Sequence, residues 1–600
     1  MKIGSWYQGE NRCSFRVWAP KCDRLAVHLL APEDRLIPLT STERGYWETT
    51  AENIPPGTKY VYQLNDDLER PDPAAHAQPE GVHGPSQVVD HTRAWQDQDW
   101  QNYALGEYII YELHVGTFTP AGTFTAMIPR LADLKALGIN AIELMPVAAF
   151  PGTRNWGYDG VYLYGVQASY GGPEALKALV DACHQEGIAV IMDVVYNHFG
   201  PEGNYLWPYG PYFTSQYRTP WGDAVNYDQA HSNEVRQFFI QNALYWLETY
   251  HIDALRLDAI HAIYDFSAQP FLQELGQAVA ALSEASYPRY LIAESDLNDV
   301  RVLRSPDLGG FGHHSQWCDD FHHALHTLLT GESSGYYQDF GRVADLATSY
   351  RQGYVYTGQY SPHRRRNHGN SPQGCSGDNF VVCNQNHDQI GNRLGGDRLT
   401  QTLNFEQLKL AAAATLLSPF VPMLFMGEEY GETRPFQYFV SHSDPALIEG
   451  VRQGRREEFK SFGWPEDQIP DPQGEQVFTD SILSWDWSDL HRASLRSLYQ
   501  TLIQLRRHWS PLTALDLAPI AVTPMEAAQT LMVERPGLWL ALNFSPNTVT
   551  IPAPIGHWQQ KLDTAAPQWH GPGSTAPEDC TGGTEVALAP HAAILYGRID

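Results

Sequence analysis

The sequence predicts an α/β protein, a (β/α)8 barrel flanked by an N-terminal β-sandwich and a small C-terminal β domain. Three observations predict it. Between about residues 96 and 510, short apolar runs alternate with helix-period segments, the pattern of βα units around a parallel sheet. Residues 1–95 alternate in the β manner, as an immunoglobulin-like sandwich does, and residues 511–600 return to short strands. Eight apolar runs can be counted in the middle region, which closes a barrel rather than an open sheet.

In the first segment, residues 14–18, 25–29 and 60–64 read as strands separated by turn signals such as Pro55-Pro56-Gly57. Residues 70–85, rich in Pro, Gly and Ala, are too stiff for a helix and predict a linker. Barrel strands are predicted at 108–114, 140–145, 188–194, 253–258, 290–294, 314–317, 380–383 and 421–426. A helix over 127–137 places Ile128, Leu131, Leu134 and Leu137 on one face before Gly138 stops it. Pro173 opens and Gly187 closes the next helix, with Leu176, Leu179 and Cys183 inward. A long loop carries Trp207, Tyr209, Tyr212, Phe213, Tyr217 and Trp221, and a helix capped by Ser232 runs to about Tyr250. Further helices are expected over 270–284 and 495–507, then strands over 530–533, 538–542 and 593–596.

Composition narrows the function classes. Forty basic against sixty-nine acidic side chains leave a net charge of −29, which argues against nucleic acid or an anionic membrane surface as partner. No stretch approaches the roughly 20 apolar residues of a membrane helix, and the first residues lack the apolar core of a signal peptide. Seven cysteines, an odd number without a CxxC pair, fit reduced thiols and a soluble cytoplasmic protein. Aromatic residues make up 12% of the chain, and flat rings beside Asn, Asp and His suit the C–H faces and hydroxyls of sugars.

In a barrel of this kind the chemistry sits at the C-terminal ends of the strands. Asp258 ends the fourth predicted strand, Glu294 ends the fifth, and Asp388 follows the seventh within Asn384-Gln-Asn-His-Asp388. Two carboxyl groups can cleave a glycosidic bond, one attacking the anomeric carbon while the other protonates the leaving oxygen; retention requires them about 5–5.5 Å apart. Arg256, two residues before Asp258 on the same strand face, favours its ionised form and suits it to be the nucleophile. Glu294 emerges from the apolar run Leu291-Ile-Ala293, where desolvation raises its pKa as a general acid requires. His198 and His387 lie on the same rim, where they can meet sugar hydroxyls. The pair His322 and His326 has metal-ligand spacing, but no companion motif accompanies it, and the Arg-rich run 363–368 reads as solvated charge or a sugar-contacting loop.

Asp193-Val-Val-Tyr-Asn-His198, Leu255-Arg-Leu-Asp258, Ile292-Ala-Glu294 and Asn386-His-Asp388 resemble, in order and spacing, the conserved regions of the α-amylase superfamily. The resemblance implies a retaining mechanism with Asp258 as nucleophile, Glu294 as acid/base and Asp388 gripping sugar hydroxyls in the transition state. Tyr158, in Asn155-Trp-Gly-Tyr-Asp-Gly160, is similar to the tyrosine under the sugar being cleaved, and Arg256, His198 and His387 complete the substrate-binding set. Phe15-Arg-Val-Trp-Ala-Pro20 and Tyr111-Glu-Leu-His-Val-Gly-Thr-Phe118 resemble members with an N-terminal sandwich. Asp258-Ala-Ile-His-Ala-Ile263, the run 316–326 and Phe425-Met-Gly-Glu-Glu-Tyr-Gly-Glu432 are most similar to the maltooligosyltrehalose trehalohydrolases. That likeness implies hydrolysis of the α-1,4 bond next to a terminal trehalose unit, with maltooligosyltrehalose or a related α-glucan as partner. The alternatives are a branching or debranching enzyme of the same superfamily and a glucan-binding protein without catalysis. Many α-amylases carry a histidine at a calcium site four residues after the nucleophile; here that residue is Ala262, and neither metal nor cofactor is expected.

Overall fold

The computed structural model describes residues 2–460 and 469–599. Eight parallel strands close a barrel in sequential order: β1 Ile110–Leu113, β2 Ala141–Leu144, β3 Ala189–Val194, β4 Ala254–Leu257, β5 Tyr290–Ala293, β6 Ser315–Trp317, β7 Phe380–Cys383 and β8 Val421–Phe425. Pairing of Ile110 with Met423 joins the last strand to the first. The three-residue β6 is the shortest, and contacts Ile292 and Ala293 on one side and Phe380 and Val381 on the other.

Side chains alternate across each strand, so every second residue enters the barrel. The lower interior is apolar, with Ile110, Ala141, Ile191, Ala254, Ile292 and Met423 packed together. Toward the C-terminal end Glu112, Glu143, Asp193 and Arg256 replace them, all buried. The interior therefore turns from oily to ionic along its axis. At the opposite end Asp253 is structural: its Oδ1 accepts from Trp100 Nε1 at 2.7 Å and its Oδ2 from Val190 N at 2.8 Å. His184 bridges that Oδ2 at 2.9 Å and Asp97 Oδ2 at 2.8 Å.

Two helices depart from expectation. The segment predicted as one helix over 127–137 is Phe124–Met127, a tight turn Ile128–Arg130 and Leu131–Leu137, because Pro129 lacks the N–H that a continuous helix needs. Gly138 ends it at φ 106°, and a Cβ there would meet Ile503 Cγ2 at 2.6 Å, so both backbone and packing require glycine. Ser232 does not cap its helix; it is the first residue of Ser232–Thr249, preceded by a left-handed His231 with no side-chain cap.

The N-terminal residues form two sheets, one of Gly4–Tyr7, Cys13–Trp18, Thr40–Ser41 and Tyr46–Ala51, the other built on Leu25–Ala31 and Lys59–Leu64. Residues 71–78, predicted as linker, are all buried. Small side chains such as Ala74 and Ala75 let this strap pack closely, and Asp72 accepts from Tyr60 Oη and Ala74 N at 2.8 Å each. The loop after β3 is pinned to the sandwich by Lys21 N–H on Tyr209 O and by Trp18 edge-on to Tyr212. A six-stranded antiparallel sheet, including Thr530–Arg535, Leu538–Asn543 and Ala593–Arg598, occupies the C-terminal region. Lys409, from the barrel helix Phe405–Leu416, donates to the carbonyls of Thr564 and Trp569 there.

Candidate active site

Arg256 is the centre of the ionic end of the barrel. Its side chain is fully buried, and Nη1 donates to Asp258 Oδ1 at 2.7 Å and to Asp193 Oδ2 at 2.8 Å. Nη2 lies 3.7 Å from Glu294 Oε2, and the guanidinium carbon sits 4.2 Å from the Trp317 ring centroid. Two strand-end carboxylates therefore share one cation. Asn197 adds two bonds of 2.8 Å, to the carbonyl and Oδ2 of Asp258.

The backbone couples the two acids. Ala259, left-handed at φ 39°, directs its N–H to Glu294 Oε2 at 2.6 Å, and Ile260 N–H reaches the Glu294 carbonyl at 3.0 Å. A non-glycine residue pays for that conformation with steric strain of order 1 kcal/mol, held here by the surrounding bonds. Each carboxylate side chain keeps 13% of its surface open, enough for contact with substrate.

Their electrostatics diverge. Burial pushes the Asp258 carboxyl up, but Arg256, His198 and the Asn197 amide together hold it below the usual range. Burial raises Glu294; Arg256 opposes this, and the charges of Asp258 and Asp388 reinforce it, leaving Glu294 above the usual range. Asp193 is lifted to about 7 by burial against the pull of Arg256. Glu143, whose two oxygens have no hydrogen-bond partner among the described residues, is driven well above the usual carboxylate range by burial and by Glu112.

Asp388 stands on the rim with 45% of its side chain exposed, in the short helix His387–Gly391 capped by Asn386. His387 donates its backbone N–H to Glu112 Oε2 at 3.0 Å, turns Nδ1 to the other Glu112 oxygen and meets Tyr158 Oη through Nε2 at 2.8 Å. Burial opposes its charge, but Asp388 and Glu112 outweigh that and lift His387 to about 9. Tyr158 donates to Asp193 Oδ2 at 2.7 Å, and its ring stacks on His387 at 5.2 Å. His198 faces Asn197 Oδ1 and the Tyr158 carbonyl, and its ring lies flat against the half-exposed Trp221 at 4.1 Å. The structure thus brings all seven sequence-derived site residues into one connected rim, but the ring nitrogens of both histidines already meet protein atoms.

Several members were missed. Glu112 and Asp193 stand within the quoted motifs but receive no site role from the sequence, because an acid facing into a barrel looks like an interruption of an apolar run. The signal was their period-two placement on β1 and β3. Asp319 follows β6, and burial together with Glu294, Asp296 and Asp388 raises it well above the usual range. In the Arg-rich loop, Arg364 reaches Asp296 at 3.3 Å, close to the end of β5. His326 pairs with Glu332 at 2.7 Å and His322 with His323 at 3.0 Å. A cavity of about 670 Å3, bordered by Glu107, Asn140, Asp378 and Arg506, lies at the other end of the barrel, away from these carboxylates.

Residues 87–219 match the alpha amylase catalytic domain, and residues 2–73 match carbohydrate-binding module 48, the isoamylase N-terminal domain. A malto-oligosyltrehalose trehalohydrolase of Saccharolobus solfataricus is 47% identical over 500 residues, covering 83% of this chain and 86% of that one. The chain belongs to the malto-oligosyltrehalose trehalohydrolase family. A second family member, from Rhizobium sp. strain M-11, is 46% identical over 91% of this chain and 93% of its own. The crystal structure of a candidate alpha amylase from Salmonella typhimurium superposes with a TM-score of 0.88 at 36% identity, covering 99% of both chains.

Proposed function

We propose that the protein hydrolyses the α-1,4-glucosidic bond next to the terminal trehalose unit of maltooligosyltrehalose, releasing trehalose and a maltooligosaccharide with retained configuration. The observation that carries the chemistry is one buried guanidinium between Asp258 and Glu294, whose carboxyls shift in opposite directions. The observation that carries the substrate is the family: relatives 47% and 46% identical bear the name of that activity.

In the first step the ionised Asp258 attacks the anomeric carbon while Glu294 gives its proton to the glycosidic oxygen. The C–O bond breaks, trehalose leaves as the alcohol, and a glycosyl ester forms on Asp258. In the second step Glu294, now ionised, takes a proton from water as the water oxygen attacks the same carbon. Asp258 departs as a carboxylate, and two inversions make retention. Positive charge develops on the sugar in between, beside Asp388 and the ring of Tyr158. Arg256 positions the nucleophile, and His198 and His387 hold Tyr158 and border the sugar. Seven unpaired cysteines support a cytoplasmic location.

Incubation with maltooligosyltrehalose, and separately with amylose and glycogen, tests this reading. Trehalose and a shortened maltooligosaccharide are expected from the first, with the new reducing end appearing as the α anomer. New α-1,6 linkages without trehalose establish a branching enzyme instead, and binding without turnover of any substrate establishes a glucan-binding protein.

A further inference from the structure

We infer that Trp207, flanked by Phe213 and Lys21, forms a distal α-glucan subsite that holds sugar residues of the substrate beyond the catalytic cleft. Trp207 sits on the loop after β3, on the catalytic side of the barrel, with 49% of its surface in water. Its indole is not a loose side chain. It stacks on Phe213 with centroids 5.2 Å apart and planes at 27°. Phe213 meets Phe199 edge-on at 5.6 Å, and Phe199 directly follows His198 at the cleft. From the other side Lys21 of the sandwich donates to the Trp207 carbonyl at 2.7 Å, with its Nζ 5.7 Å from the ring centroid.

Packing alone does not account for this arrangement. The sandwich is joined to the loop by Trp18 and Tyr212, both buried, whereas Trp207 keeps 49% of its surface exposed. An immobilised, flat and half-exposed indole with a cation 5.7 Å from its centroid suits a pyranose, which presents an apolar C–H face to the uncovered part of the ring and hydroxyls to the cation. Little ordering entropy remains to be lost on binding, because the ring is already held. The occupant follows from continuity. One loop runs from His198 to Trp207, and Lys21 lies within the segment that matches a carbohydrate-binding module. The glucan part of the substrate is the piece long enough to leave the cleft.

This inference rests on the hydrolase reading, and its test separates the two. Steady-state kinetics of Trp207→Ala and Trp207→Phe are measured on a short and a long maltooligosyltrehalose. The long-to-short ratio of kcat/KM is expected to fall roughly threefold to tenfold in the alanine variant, through KM, and to recover in the phenylalanine variant. Calorimetric titration of maltoheptaose into Asp258→Asn, with and without Trp207→Ala, is expected to show the same loss of affinity. An unchanged ratio, or an equal loss on both substrates, overturns the subsite and leaves Trp207 a packing residue. If the wild type releases trehalose from neither substrate, the hydrolase reading fails, and the maltoheptaose titration alone decides the subsite.

Discussion

Arg256 lies 2.7 Å from Asp258 and 3.7 Å from Glu294, so it favours the charged form of the nearer carboxyl more strongly. Asp258→Asn is expected to lower kcat by about 10³-fold or more while leaving the melting temperature close to wild type, because the amide keeps the shape of the carboxyl. Retained turnover assigns the nucleophile elsewhere. The opposite shifts also fix the sense of the pH profile. In the proposed mechanism Asp258 acts ionised, so activity is expected to be lost as pH falls through its depressed pKa, and Glu294 acts protonated, so activity is expected to be lost as pH rises through its elevated one. On a substrate whose leaving group needs no acid, Glu294→Gln should abolish the alkaline limb of the first step. A surviving limb sinks that assignment. Asp258, Glu294 and Asp388 were legible because each ends or follows an apolar strand. Glu112 was not, because its partner His387 lies 275 residues away.

At the scale of the element, β4 has two acidic ends with different tasks. Asp258 opens onto the C-terminal rim of the barrel with 13% of its side chain exposed, whereas Asp253 is buried with His184, which also contacts Asp97 and stacks on Trp100 at 4.5 Å. Burial opposes the charge of His184, but Asp253 and Asp97 lift it to about 9. A raised folded-state pKa contributes stability that is complete below the ordinary 6.5 and is lost as pH rises through about 9. The shift corresponds to roughly 3 kcal/mol. His184→Asn should therefore melt well below wild type at pH 6, with the gap narrowing by pH 10; a gap independent of pH shows that charge is not the cause. Strand existence was readable from apolar runs, and so were the helix faces. The break at Pro129 and the uncapped start at Ser232 depend on local backbone geometry that periodicity does not report.

Across the whole molecule, sequence texture separates three regions but does not say which surfaces meet. The strap at 71–78 lies in the segment 70–85 that reads as a linker because it is rich in Pro, Gly and Ala, yet tertiary contacts bury every residue of the strap. Lys409 illustrates the same limit. It lies in an Ala-rich helix with no exposed side-chain surface and donates to Thr564 and Trp569 of the C-terminal region. Lys409→Met leaves those carbonyls and Glu406 without their cation, and a loss of about 2–4 kcal/mol is expected. Unchanged thermal stability and unchanged proteolysis of the C-terminal region would exclude that tie. The graded barrel interior bears on inhibition. With Glu143 and Glu294 shifted toward their neutral forms, its upper layer still sets Glu112, Asp193, Asp258 and Asp388 against Arg256 and His387 among the described residues, an acid-rich floor at the proposed sugar site. A monosaccharide analogue with a protonated ring nitrogen should therefore bind about tenfold or more tightly than its uncharged carbocyclic counterpart, and the preference should shrink in Asp258→Asn. Equal inhibition constants for the two would mean that the barrel's charge gradient serves its folding and not its ligand.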